Sequence, residues 1–245
     1  MHAHIVFCHP EPGSFTGALK DVTINSLEEL GYTVGVSDLH AEGFDPVEKA
    51  EHYPSRIRPD RFSAMTEQRH ASNTETLPQD VIREIDRLEK ADLVILQFPL
   101  WWHTQPAMLK GWFDRVFVSG KTYTSKMRYD RGYFKGRKAI CSVSIGAPEG
   151  AFGGGGRGGD LDAMFWSINY SLYYMGFTVL QPFFAFGIEN YSGVLLDEQA
   201  HMQHLDDNKV QWADLLGRLD DLGEVQFPGW DDWDEHGHQK VRNNA

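Results

Sequence analysis

The sequence has few cysteines, no long apolar run and no excess of positive charge. Only two of its 245 residues are cysteines, Cys8 and Cys141, too few for a disulfide framework or a four-cysteine zinc site. No run approaches the roughly 18 apolar residues of a membrane helix, and the N-terminus lacks the features of a signal peptide. We therefore expect a cytoplasmic protein without membrane insertion. With 23 Lys and Arg against 35 Asp and Glu, the chain is a poor partner for nucleic acid.

The negative charge is concentrated near the C-terminus. Twelve acidic and two basic residues lie between Asp197 and Glu235, so the remainder of the chain is close to neutral. This segment is interpreted as a solvated surface or, alternatively, a docking surface. The hydrophobic content of 41% is enough for one sizeable core. We predict one domain over residues 1–223 and an acidic tail over residues 224–245, whose tryptophans pack on a protein surface.

Apolar segments rich in β-formers alternate with amphipathic segments along the chain. Strands are predicted at residues 3–9, 32–38, 92–98, 138–145 and 177–185. Helices are predicted after Ser14 as far as Gly31 and at residues 79–90, 106–118, 161–175 and 197–219, whereas residues 39–77 read as an irregular loop or cover. Such alternation predicts an α/β fold with a parallel sheet covered by helices on both faces. Five strands suit a flavodoxin-like sheet, whose ligand lies beyond the carboxyl ends of the strands.

Two of the three loops expected at that edge have ambiguous patterns. The first, residues 9–16, places His9, Ser14 and Thr16 at a helix N-terminus, where phosphate binds well, although Ser14 is equally typical of a simple cap. The glycine-rich loop at residues 146–159 suits either a flexible surface or a backbone that approaches a flat ligand closely. No GxxxxGK[ST] motif is present, so a P-loop nucleotidase is not supported.

The loop after the third predicted strand is the most informative. Trp101, Trp102 and His103 lie on a turn, where flat aromatic surface suits stacking against a conjugated ring. Trp112 and Phe113 fall inside the following predicted helix and are interpreted as core residues.

From Phe98 to Arg115 the sequence reads FPLWWHTQPAMLKGWFDR and closely resembles the NAD(P)H:quinone oxidoreductase family of the diaphorase type. Shorter matching segments in the same order include Ser37-Asp38-Leu39, Tyr123-Thr124, Tyr129-Asp130 and Gly159-Asp160. The resemblance implies a flavoprotein that binds FAD, with FMN as the alternative, and uses NAD(P)H as co-substrate. It further implies a homodimer that transfers two electrons by hydride to quinones or related flat conjugated aromatics.

The resemblance also assigns residues to the flavin site. The phosphate end would be held by His9, Ser14, Phe15, Thr16, Gly17 and Ala18. The flavin ring would lie against Pro99, Leu100, Trp101, Trp102 and His103 on one loop and against Ser144, Ile145, Gly146 and Ala147 on the other. Tyr123 would line the substrate pocket across a dimer.

Phe152 and Gly158 stand where the family typically has a tyrosine and a histidine. We expect a backbone N–H or His103 to compensate for the lost donors, and we assign catalytic roles to His103, Trp102, Tyr123 and Phe152. Ser63 replaces a frequent glutamine, which leaves FAD favoured over FMN but not decided. Alternative interpretations are a specialised flavoenzyme for one bulky aromatic metabolite and a flavin-binding regulatory subunit.

No basic residue stands out as the contact for the extra phosphate of NADPH. The histidines show no strong metal-ligand pattern, although His201 and His204 lie three residues apart on the last predicted helix, and we expect no metal.

Overall fold

The computed structural model describes residues 1–190 and 197–240. The six strands are β1 (His2–Phe7), β2 (Thr33–Asp38), β3 (Leu93–Pro99), β4 (Lys138–Ser144), β5 (Thr178–Val179) and β6 (Phe183–Ala185). The α-helices are α1 (Phe15–Glu29), α2 (Ala64–Asn73), α3 (Gln79–Lys90), α4 (Ala107–Val116), α5 (Leu161–Tyr174) and α6 (Glu198–Leu216). The strands pair in the order β2-β1-β3-β4-β5, with β6 also beside β4, and every pairing is parallel. This architecture confirms the predicted flavodoxin-like α/β fold.

The alternation of side chains along β1 shows how the sheet divides the core. Ala3, Ile5 and Phe7 face one layer, which also contains apolar side chains of α1 and α6. Val6 and Cys8 face the other layer, which is built largely from α3, α4 and α5. Cys8 and Cys141 are both buried, and burial raises the pKa of each thiol to about 12. Within residues 1–190 and 197–240, no helix has both the length and the apolar character needed to cross a membrane.

The single strand predicted over residues 177–185 is wrong in detail, because the structure contains two short strands there. Leu180 still donates to the carbonyl of Ala139 at 2.9 Å, but Gln181 turns away and donates to Gly223 at 2.9 Å. Pro182 follows and has no N–H to offer to β4, so the ladder is interrupted until Phe183. Both pieces pair with β4, which explains six strands where five were expected.

The region predicted as irregular, residues 39–77, contains helix α2. Its sequence, AMTEQRHASN, carries one apolar residue larger than alanine. That residue, Met65, is exposed, whereas Glu67, Gln68 and Ala71 are buried. The carboxylate of Glu67 accepts from the amide of Ile57 at 2.9 Å, so the buried face of this helix is held by polar contacts. A hydrophobic periodicity therefore could not reveal it.

The predicted tail packs on the rest of the chain over residues 224–240, and its last five residues lie outside the described part of the structure. The amide of Val225 donates to the carbonyl of Val179 at 2.8 Å, and Tyr173 Oη donates to the carbonyl of Pro228 at 2.9 Å. The ring of Trp233 lies 4.6 Å from that of Tyr129, measured between centroids. The tail tryptophans thus contact the chain's own surface.

A buried polar network links β1, β2, α3 and α4. Glu84, 1% exposed, accepts from Ser37 Oγ at 2.8 Å and from the indole of Trp112 at 2.9 Å, and it pairs with Arg87 at 2.6 Å. Because the Ser37 proton goes to Glu84, Ser37 Oγ accepts from His4 Nε2, 2.8 Å away. This arrangement requires a proton on Nε2 of His4, which the neutral imidazole can supply.

Burial and, secondarily, the charge of Arg87 lower the pKa of His4 from 6.5 to about 3. The unfolded chain therefore binds a proton at His4 that the folded protein excludes between those two values. Protonation of His4 in the unfolded chain lowers the free energy of unfolding. The stability is therefore fully present above pH 6.5 and is lost progressively as the pH falls toward 3.

We expect the free energy of unfolding to fall by about 1.4 kcal/mol between pH 7.5 and pH 5.5 because of His4, as measured by urea denaturation. A His4→Gln variant should lose this pH dependence while retaining a donor to Ser37. His201→Gln, at a half-buried position on α6 outside this network, is the matched control and should retain the wild-type dependence. Equal pH dependence in all three proteins would contradict the assignment.

Candidate flavin site

The carboxyl ends of β1, β3 and β4 bring three loops together, and Ser144 joins them. The carbonyl of Ser144 accepts from the amide of Leu100 at 2.9 Å, and its hydroxyl lies 2.6 Å from that of Thr16. Both hydroxyls are buried. The ring of His9 lies 6.0 Å from that of Trp101, which connects the first two loops a second time.

The first loop ends in the capped N-terminus of α1. Ser14 Oγ accepts from the amide of Gly17 at 3.1 Å, which confirms Ser14 as the N-cap. The amides of Phe15 and Thr16 precede the first helical hydrogen bond and can donate to an anion, which the helix dipole also favours. Burial is the main cause that lowers the pKa of His9. A neutral His9 beside this helix terminus suits a hydrogen bond to a phosphate or hydroxyl.

The second loop is a tight turn with an unusual backbone. Trp101 and Thr104 exchange two amide–carbonyl hydrogen bonds of 3.1 Å. Between them, Trp102 and His103 both have positive φ, 49° and 64°, as in a type I′ turn. That turn favours Asn and Gly, and the left-handed conformation costs other residues about 1–2 kcal/mol each. The strain presents Trp102, 92% exposed, at the mouth of the sheet.

The third loop is ordered by its own backbone. Gly153 donates to the carbonyl of Gly159 at 2.9 Å, and Gly158 donates to that of Ala151 at 2.7 Å. A Cβ at Gly158 would lie only 2.8 Å from Cε1 of Phe152. The two departures from the family pattern are therefore coupled, because the ring of Phe152 occupies the space that any side chain at position 158 would need.

Tyr123 is the one expected site residue that lies away from these loops. It belongs to the connection from the end of α4 to the start of β4, at the amino edge of the sheet. Its ring packs edge-on against Tyr174, with centroids 5.7 Å apart, and borders a cavity of about 440 Å³. In the described residues its ring packs on α5 and on none of the three loops.

The geometry brings together most of the residues expected at the flavin. They are His9, Ser14, Phe15, Thr16, Gly17, Ala18, Pro99, Leu100, Trp101, Trp102, His103, Ser144, Ile145, Gly146, Ala147 and Phe152. Free amides at α1 suit a phosphate, and the strained aromatic turn opposite the glycine-rich loop suits a flat ring. The donor set therefore fits a flavin nucleotide.

Arg157 was overlooked by the sequence reasoning. It lies on the third loop, is exposed, and has no ion pair or side-chain hydrogen bond within residues 1–190 and 197–240. A count of Lys and Arg on the three loops could have found it, because neither of the other two loops carries either residue.

The chain matches a family described as having a flavodoxin-like fold over residues 1–214. It is 38% identical over 188 residues to NAD(P)H dehydrogenase [quinone] 1 of Cavia porcellus, an alignment covering 76% of this chain and 68% of that protein. It is 37% identical over 187 residues to a mouse ribosyldihydronicotinamide dehydrogenase [quinone], covering 76% and 81%.

A solved structure from Klebsiella pneumoniae, described as a quinone reductase, superposes with a TM-score of 0.85 at 29% identity, covering 95% of this chain and 91% of that one. The fold, the three converging loops and these similarities agree. The chain belongs to the flavodoxin-like family of flavin-dependent NAD(P)H:quinone oxidoreductases.

Proposed function

We propose that this enzyme oxidises NAD(P)H and transfers two electrons by hydride to quinones or related conjugated aromatics, on a flavin held by the three loops. The observation that carries this proposal is the convergence of the loops on Ser144, which places the α1 amides and the aromatic turn at one edge. A bound flavin supplies the hydride chemistry, accepting from the nicotinamide and donating to the acceptor in alternation.

In this proposal different groups of the chain bind the phosphate end of the flavin, its ring and the substrates. The amides at the start of α1 would hold the phosphate end of the flavin, and the backbone of residues 99–103 and 144–147 would line its ring. Trp101 and Trp102 flank the space where the nicotinamide and the acceptor bind in turn. Nothing lies within 4 Å of a Cβ at Gly153, Gly154 or Gly155, so this side has room for a bulky aromatic acceptor.

The cofactor we propose is FAD. The first loop offers its amides, the cap of Ser14 and the imidazole of His9 over a span that suits a pyrophosphate. FMN, with one phosphate, remains the alternative that the experiment below can identify.

The purified protein should be yellow, and its visible absorption should bleach when NADH or NADPH is added without oxygen. Acid-released flavin should have the mass of FAD. A protein that binds flavin but stays oxidised would contradict the reductase function, and recovery of FMN would contradict only the choice of cofactor.

His103 is proposed as the proton donor that replaces the family's tyrosine and histidine. It lies on the strained turn, and no side-chain donor exists at Phe152 or Gly158. His103→Ala should slow anaerobic bleaching by NADH at least about 10²-fold, the usual contribution of a positioned acid or base.

The matched control is His103→Phe, which retains a ring and loses the proton. It should be as slow as His103→Ala if proton donation matters, and near wild type if His103 only fills space. Wild-type rates in both variants over a broad pH range would exclude the role.

We further propose a homodimer in which Tyr123 lines the partner's substrate pocket. Topology supports this arrangement, because Tyr123 belongs to the connection that leads into β4, whereas the flavin loops follow the carboxyl ends of the strands. Phe113, Phe117 and Met65 add apolar surface to the cavity that Tyr123 borders, and such surface suits coverage by another chain.

Two separately impaired chains should complement each other if the sites are shared. Tyr123→Ala and Trp102→Ala each lower quinone reduction alone, but a hybrid dimer regains one intact site. We expect mixing after reversible dissociation to restore part of the activity, with dimer formation followed by analytical ultracentrifugation. Activity equal to the average of the two variants, despite hybrid formation, would show that each site is built within one chain.

A further inference from the structure

Arg157 lies between two glycines of the third loop, and its side chain is exposed. A Cβ at Gly156 would lie 2.3 Å from the carbonyl oxygen of Ala151, and one at Gly158 would lie 2.9 Å from the same atom. The backbone at both positions therefore lies against residues 151–152, where only glycine fits. Between them Arg157 is exposed, so the loop offers one long cationic side chain at its surface.

The loop has enough backbone hydrogen bonds to hold that position. Gly156 donates to Gly153 at 3.0 Å, Gly158 donates to Ala151 at 2.7 Å, and Phe152 pairs with Gly159. The loop is also anchored beyond these bonds, since Gly187 donates to the carbonyl of Ala147 at 2.9 Å. Arg157 thus projects from a turn over residues 151–159 that is held by its own backbone hydrogen bonds.

No described residue balances the charge of Arg157. No carboxylate forms an ion pair with it in the described parts of the chain, whereas other arginines such as Arg87 and Arg131 have close acidic partners. The chain as a whole carries a net charge of −12, which repels an anionic co-substrate. A free guanidinium at the site is the feature that can reverse this repulsion locally.

We propose that Arg157 binds the pyrophosphate of the hydride donor and so selects NADH and NADPH over uncharged ribosyldihydronicotinamide. This inference rests on the proposed function and specifies its donor. Guanidinium groups form paired, charge-assisted hydrogen bonds with phosphate oxygens. The neutral α1 amides would hold the phosphate of the flavin, so the donor's phosphates need a separate contact, and Arg157 supplies a cationic one.

The test compares an anionic and a neutral hydride donor with one quinone. Arg157→Gln should raise the KM for NADH about 10-fold or more, the usual size of a charge-assisted hydrogen bond, with kcat little changed. Its KM for ribosyldihydronicotinamide should equal that of the wild type. Arg157→Lys should recover part of the NADH affinity, and Lys135→Gln, which removes an exposed charge near the start of β4, is the matched control.

A binding measurement separates this inference from the proposed function. Calorimetric titration of the flavin-loaded protein with ADP-ribose, which has the pyrophosphate but no nicotinamide, should show binding that Arg157→Gln weakens and that added salt reduces. Equal ADP-ribose affinity in wild type and variant, or equal loss toward both donors, would overturn the role of Arg157. Failure of the wild type to oxidise either donor would overturn the proposed function, while the titration would still decide the phosphate contact.

Discussion

The site depends on the parallel pairing of β1, β3 and β4, which aligns the carboxyl ends of these strands. Ser144 connects the three loops that follow them. Pro99 and Ser144 are partners in the last register position of β3 and β4. Ser144 accepts from the amide of Leu100 through its carbonyl and contacts Thr16 through its hydroxyl. One residue therefore joins the end of the first loop and the start of the second to the start of the third. Because these bonds lie at the ends of paired strands and the hydroxyl pair is buried, they hold the loops rigidly on the sheet, as a cofactor site requires.

Much of this arrangement could be predicted from the sequence, for identifiable reasons. The strands at the centre of the sheet are nearly continuous apolar runs, and the predicted core residues Trp112 and Phe113 are 1% and 5% exposed. Ser14 and Gly31 mark the ends of α1 through local capping geometry that needs no tertiary information. The segment from Phe98 to Arg115 combines an uncommon turn with a helix, so its resemblance to one family is specific.

What could not be predicted depends on contacts between residues that are distant in sequence or on polar burial. Helix α2 is held through the buried polar side chains of Glu67 and Gln68, and a hydrophobic pattern cannot predict such polar contacts. The break at Pro182 depends on Gly223, which offers Gln181 an acceptor away from β4. The position of Tyr123 at the amino edge is a consequence of topology, because strand order decides which loops share an edge.

In the third loop, the effect of one residue on the site depends on a second residue that is packed against it. Phe152 and Gly158 look like two separate losses in the sequence, yet the ring of one fills the space required by the other. Restoring a histidine at position 158 would therefore need a smaller residue, or a different ring position, at 152. The third loop has no side-chain donor at these two positions, because its backbone packs closely there. Its exposed cationic group is the guanidinium of Arg157. On the proposals made above, this loop would bind a charged donor, and His103 on the strained turn of the opposite loop would supply the proton.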